Sequence, residues 1–266
     1  MIARQLTDGT ALRWSPRVSP DGRWIGFAEQ TSGSAELFRV PIDGGPVQRL
    51  TFGARILPEC EIAWSPDGKQ IAFETMRSNH AQIWIADVDG HRMRGLEQTR
   101  VNFGGPGHLT WAPGGNIAYE RYHHSIGLVD PVTGNERTLV STDSTLRFYS
   151  PLYSPDGKRL AVTRLDSLGQ GVWVFDLSKG TLTRVGDMVL WPRSWSPDGR
   201  YMYASSAGMS TVARIDATGN KPVQPYWVPP FRFAECTAAG ARRPGAFVCV
   251  KFDLVSDISV INNFDR

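Results

Sequence analysis

One tetrapeptide recurs along this chain and limits what the chain can fold into. Ser-Pro-Asp-Gly stands at Ser19–Gly22, Ser65–Gly68, Ser154–Gly157 and Ser196–Gly199, with a degenerate copy at Ala112–Gly115. The starts at 19, 65, 112, 154 and 196 are 46, 47, 42 and 42 residues apart. A period of that length is the signature of a solenoid or a propeller. Within the tetrapeptide, proline presets φ for a type I turn, Asp bonds nearby backbone, and Gly takes the positive φ that ends the turn. Short apolar runs flank each copy, such as Ile62-Ala63-Trp64 before Ser65 and Ile71-Ala72-Phe73 after Gly68. The unit therefore reads as a β-hairpin written five times.

Each unit continues alike. A third apolar strand follows a variable loop (Leu37–Val40, Ile83–Ala86, Ile126–Val129, Val172–Phe175, Val212–Ile215) and closes on an Asp and a Gly turn. A more polar fourth strand ends the unit, as at Val47–Thr51 and Leu182–Val185. Strands two and three are apolar on both faces, so neighbouring sheets must cover both, and the mixed fourth strand suits an outer edge. Four-stranded antiparallel sheets stacked about an axis make an all-β propeller. After the fifth unit the chain supplies three more strands, around Cys236–Gly240, Ala246–Val250 and Asp257–Ile261, and then lacks a fourth. Arg4-Gln5-Leu6-Thr7-Asp8-Gly9 matches Gln48–Gly53, a fourth strand. The N-terminal strand is thus expected to complete a sixth blade and close the ring, with residues 1–266 as one domain.

The string Phe38–Thr51 followed by Ala63–Phe73 resembles the TolB-type, WD40-like propeller repeat. The resemblance runs nearly end to end and implies six blades and, commonly, protein binding. It specifies fold and not function. The end, Ser256–Asp265, also resembles the terminus of propeller modules fused behind bacterial kinases or winged-helix regulators, which implies a module of a larger protein.

Charge is nearly balanced, 29 basic against 26 acidic residues, with no Lys/Arg block, which argues against a nucleic-acid footprint. No apolar h-region opens the chain and no stretch approaches about 20 apolar residues, so neither a signal peptide nor a membrane span is expected. An extracytoplasmic setting would then follow only from a longer parent protein. The cysteines, Cys60, Cys236 and Cys249, form no C-x-x-C pair. They are expected as buried thiols, with a Cys60–Cys236 bridge as the alternative.

In a propeller, loops joining strand two to three and strand four to the next blade share one rim. That rim is expected to carry Glu59, Arg77, His80, His108, Glu120, His123, Arg147, Arg193 and Arg232 around the channel mouth, including His80, His108, His123 and His124 of the five histidines. Its loops vary most between repeats, and loops on a rigid scaffold are where binding resides. The first reading is a monomeric, non-catalytic module that takes a protein or peptide partner there, without cofactor or metal. The mixture of Arg and His suits a partner with acidic groups. The alternative is a metal-dependent lyase or hydrolase using the histidines; a related propeller, oligogalacturonate lyase, places metal-binding histidines over its channel. Ligand-type residues in loops without geometry carry that alternative weakly. No G-x-S-x-G, P-loop or G-x-G-x-x-G occurs, and Asp87-Val88-Asp89-Gly90 lacks the rest of a calcium loop. The nine tryptophans read mainly as core; Trp191 and Trp227 precede first strands and are the surface candidates.

Overall fold

The computed structural model describes residues 2–8, 11–58, 60–77, 79–90, 92–101, 109–121, 125–140, 146–166, 169–205, 211–227, 233–239, 243, 245–252 and 256–262. These form six four-stranded antiparallel sheets. After β1 (Ile2–Gln5), the first blade is β2–β5 (Arg13–Val18, Trp24–Gln30, Ala35–Pro41, Gln48–Arg49) and the second β6–β9 (Ile62–Trp64, Gln70–Arg77, His80–Asp87, Met93–Leu96). The third is β10–β13 (Leu109–Trp111, Ile117–Arg121, Ser125–Val129, Glu136–Val140) and the fourth β14–β17 (Phe148–Tyr153, Arg159–Asp166, Gly169–Asp176, Thr181–Gly186). The fifth is β18–β21 (Trp191–Trp195, Tyr201–Ser205, Val212–Asp216, Gln224–Trp227). The sixth runs β22, β23, β24 (Phe233–Ala238, Phe247–Phe252, Ser256–Asn262) and then β1, in that spatial order.

The closure expected from the sequence is present. Ile2, Ala3, Arg4 and Gln5 pair with Asn262, Ile261, Val260 and Ser259. Leu6 N donates to Ile258 O at 2.8 Å, and Ile258 N to Thr7 Oγ1 at 2.9 Å. Arg4 ties this strand to the next blade by donating to Ile42 O and Asp43 O at 2.7 and 2.9 Å. With β1 in place the last sheet has no unpaired third strand.

The turn chemistry repeats atom for atom. In all four intact copies Ser Oγ donates to Asp Oδ1 at 2.6 Å. The same Ser Oγ accepts from the first backbone N–H of the second strand, for example Gln70 N at 2.9 Å. Asp Oδ1 also accepts from the backbone two residues on, as from Lys69 N at 3.0 Å. Gly68 N bonds Ser65 O at 2.9 Å, with Gly68 at φ 70°. In the degenerate copy that position belongs to Gly115, at φ 100°, and its N–H bonds Ala112 O. These bonds hold Asp67, Asp156 and Asp198 below the ordinary carboxylate range, the Ser hydroxyl contributing most.

Six apolar clusters fill the six blade interfaces. Ile62, Trp64, Ile71 and Phe73 meet Ala28, Leu37 and Leu50 of the first blade, which is why both faces of the middle strands are apolar. The tryptophan before a turn is a staple between blades: Trp64 Nε1 donates to Arg17 O at 2.9 Å and Trp195 Nε1 to Leu152 O at 3.1 Å. Gly26 leaves room for this, since a Cβ there would stand 3.0 Å from the Trp64 ring.

Two features depart from expectation. Cys236 and Cys249 are directly opposite on β22 and β23, Cα atoms 4.1 Å apart, and form a disulfide; Cys60 alone is a buried thiol. Apolar context favoured thiols, but hairpin pairing aligns the two cysteines face to face. The inner strands of blades one, four, five and six also carry register shifts, with Ser15 and Ser150 both at φ 52°. In two of them proline follows that serine (Pro16, Pro151), and a bulge tolerates the N–H it lacks.

Candidate binding rim and channel

Of the nine rim residues expected from sequence, Glu59, His108, His123 and Arg232 lie outside the described residues. The other five separate into surface and interior. Arg147 is exposed. Arg77 and His80 pair at the tip of the β7–β8 hairpin. Arg77 Nη2 donates to Gly53 O at 2.8 Å while its guanidinium lies 4.7 Å over the Trp84 ring. His80 Nε2 and Gln82 Nε2 are 2.7 Å apart. Glu120 and Arg193 are buried instead, on β11 and β18, because these strands run further toward the rim than their apolar runs indicate. Of the two surface tryptophan candidates, Trp191 is half-buried edge-on to Tyr149, and the Trp227 side chain lies outside the described residues.

Arg193 spans the ring. Its Nη1 bonds Glu61 Oε1 at 2.7 Å, joining the fifth blade to the second, which stand opposite each other. Arg17 of the first blade pairs with the other Glu61 oxygen, Oε2, which also takes Ser15 Oγ at 3.3 Å. Ser205 Oγ lies 3.3 Å from Arg193 Nε. A charge-assisted network from three blades therefore crosses the channel axis. Below it, a cavity of 330 Å³ runs between the inner strands to Ser19, Pro20 and Pro155 of the turns. No motif announces this network. Its one trace in the sequence is Arg17, which precedes its turn by two residues in a column otherwise filled by Ala63, Thr110, Leu152, Ser194 and Thr237.

Glu74, on β7, is fully buried, with 0% exposure. Its oxygens take no hydrogen bond from a nitrogen or oxygen donor, and the Cys60 thiol lies beside it. Burial, with a smaller push from Glu120, drives its pKa up to about 8, so the group is largely protonated at neutral pH. Among the described residues, no three His, Cys, Asp or Glu side chains converge as a metal set. No helix is long and apolar enough to cross a membrane among the described residues.

The rim with the variable loops also holds apolar side chains in water. Leu12, Phe52 and Met188 are 52%, 70% and 54% exposed, each on a connection from an outer strand to the next inner strand. On the opposite rim Val132 is more exposed, at 86%, and Val47 is 39% exposed, but the turns there spend their polar groups on one another.

Residues 1–125 match the family model of the TolB beta propeller domain. That stretch, just under half of the chain, is similar to the TolB propeller. TolB from Acinetobacter baumannii superposes with a TM-score of 0.65 at 18% identity, over 80% of this chain and 54% of that one. A putative TolB from Agrobacterium tumefaciens gives 0.65 at 22% identity, over 84% and 83%. Among curated proteins, an uncharacterized protein of Agrobacterium fabrum, Atu1656, is 40% identical over 53 residues, 20% of this chain and 18% of its own length. The chain thus spans about half of the Acinetobacter TolB, and its match to the curated relative covers under a fifth of that protein. At these identities the structural likeness of the TolB-type ring is one of fold.

Proposed function

We propose that this chain is a non-catalytic, monomeric binding module that takes a protein or peptide partner on the rim carrying Leu12, Phe52 and Met188. The observation that carries the reading is the exposure of these three apolar side chains at three blade junctions, on the rim whose loops differ most between repeats. Apolar anchors ringed by polar groups are what a protein interface needs at its centre. Arg77, His80 and Arg147 belong to the same rim, to which the sequence reading also assigns Glu59, His108, His123 and Arg232. Glu120 and Arg193 lie beneath and support the rim; the ion pair to Glu61 occupies Arg193 and turns the expected recognition toward apolar contact. The metal-dependent alternative depends on His80, His108, His123 and His124 with Glu59 and Glu120, of which His80 and Glu120 are among the described residues.

The test compares two double variants for recovery of a partner. Phe52→Ser with Met188→Ser alters the proposed rim; Lys69→Ala with Val132→Ser alters the turn rim. Loss of binding in the first pair alone is expected. Loss in the second pair alone would place the interface on the other face.

A further inference from the structure

We infer that the Phe52 corner of the docking rim recognises an acidic stretch of a protein partner, one in which carboxylates stand beside a hydrophobic side chain. The inference rests on the docking-rim reading and adds the partner's chemistry to it.

The corner is a loop whose backbone is held from beneath. Glu36, fully buried on β4, accepts from Thr51 Oγ1 and Gly53 N, both at 2.7 Å, and from Ala54 N at 3.1 Å. Thr75 Oγ1 lies 2.8 Å from both Ala54 O and Arg55 O. Arg77 Nη2 donates to Gly53 O at 2.8 Å, and Ile56 N to Ala35 O at 3.0 Å. Phe52, at 70% exposure, and Arg55 are left in water on this anchored loop. A loop already ordered loses little further freedom on binding.

The fold does not ask for these two side chains. The closing strand Arg4–Gly9, which matches Gln48–Gly53, carries Asp8 where the loop carries Phe52. Arg55 stands at φ 55°, in the left-handed region that a Cβ disfavours. Residues held there gather at binding sites.

The charge of the corner is one-sided. Unlike Arg193, Arg55 has no hydrogen-bond or ion-pair partner for its guanidinium among the described residues. Arg49 lies 4.3 Å over the Phe52 ring. Its Nε donates to Thr51 O at 2.8 Å and its Nη2 stands 3.5 Å from Glu36, while its Nη1 has no acceptor among the described residues. The enclosed carboxylate of Glu36 is already taken up by Ser34 Oγ and the three donors above. An arginine fork binds both oxygens of a carboxylate, and an exposed aromatic ring gains by burial against an apolar side chain. A basic segment would meet like charge here.

The experiment selects random peptides displayed on phage against the whole chain, then measures the enriched peptides by fluorescence anisotropy. Enriched sequences are expected to set Asp or Glu next to an aromatic or aliphatic residue and to bind more weakly as salt is raised. Converting their carboxylates to amides should weaken them by at least about tenfold. Arg55→Asn, which keeps a residue that tolerates the left-handed region, should do the same with the melting temperature unchanged. Lys69→Ala on the turn rim should have no effect. No enrichment, enrichment of neutral or basic peptides, or indifference to Arg55→Asn would each overturn the inference. If the selected peptides nevertheless depend on Phe52 and Met188, by loss of binding in Phe52→Ser with Met188→Ser, the docking rim stands and only its acidic partner falls. Binding untouched by that pair as well would remove the rim reading too. Phosphatidylglycerol vesicles that bind through Arg55 while no peptide is enriched would assign the corner to an anionic membrane instead.

Discussion

Glu61→Gln is the substitution that most sharply tests the ring-spanning network. Glu61 is 3% exposed and receives Arg193 from the opposite blade and Arg17 from the neighbouring one. Glutamine keeps the shape and one carbonyl acceptor but removes the charge that both guanidiniums share. Removing one partner of a buried ion pair costs about 3–5 kcal/mol, because the remaining charge stays buried without compensation. With an unfolding entropy of about 2.1 cal/mol/K per residue over 266 residues, each kcal/mol moves the midpoint by about 2 °C. Scanning calorimetry at neutral pH should therefore show a fall of roughly 6–10 °C. Arg193→Met should cost less, since Glu61 keeps Arg17. Replacing Arg17, Glu61 and Arg193 together by Met should recover much of the loss, because no charge is then stranded. A Glu61→Gln midpoint within about a degree of the parent would show that the network carries no such energy.

Three further outcomes follow from the geometry. Glu74 has a folded pKa of about 8, above the usual carboxylate value, so the folded chain holds a proton that the unfolded chain releases; by linkage its contribution favours folding at acid pH, declines as pH rises toward 8 and then levels, and Glu74→Gln should flatten that slope in denaturant melts at pH 5 to 9. Thiol titration of unfolded, unreduced protein should count one reactive cysteine, Cys60, rising to three after reduction, whereas three from the outset would contradict the Cys236–Cys249 bridge. Deleting residues 1–8 removes the β1–β24 ladder and the Arg4 bonds to the next blade, so it should lower the melting temperature and promote self-association through the uncovered edge of β24; a deletion that melts like the parent and stays monomeric would refute N-terminal closure.

What the sequence discloses about this molecule is local and periodic. The Ser-Pro-Asp-Gly copies fix the first turn of four blades because their hydrogen bonds lie within six residues of one another, and the likeness of Arg4–Gly9 to Gln48–Gly53 fixes the closing strand. The register shifts in β2 and β14 coincide with Ser15-Pro16 and Ser150-Pro151, but no repeat period marks them in advance. The disulfide was accessible from the hairpin alignment of Cys236 and Cys249 but hidden by reading each cysteine in its own apolar context. The Arg193–Glu61 bridge joins residues 132 apart across the ring axis, so no window along the chain contains it. Glu120 and Arg193 were placed on the rim because strand ends are the least legible boundary in a sequence. The exposure of Leu12, Phe52 and Met188 depends on what neighbouring blades fail to cover, which composition alone does not encode.

The docking rim is tested most directly by site-specific photocrosslinking in cells. A photoreactive amino acid is placed in turn at Phe52 and Met188 on the proposed face and at Val132 and Lys69 on the turn rim, and the adducts are resolved by mass. A shared protein adduct from positions 52 and 188, absent from 132 and 69, is the result expected here. The same adduct arising from 132 and 69 alone would contradict the assignment of the binding face.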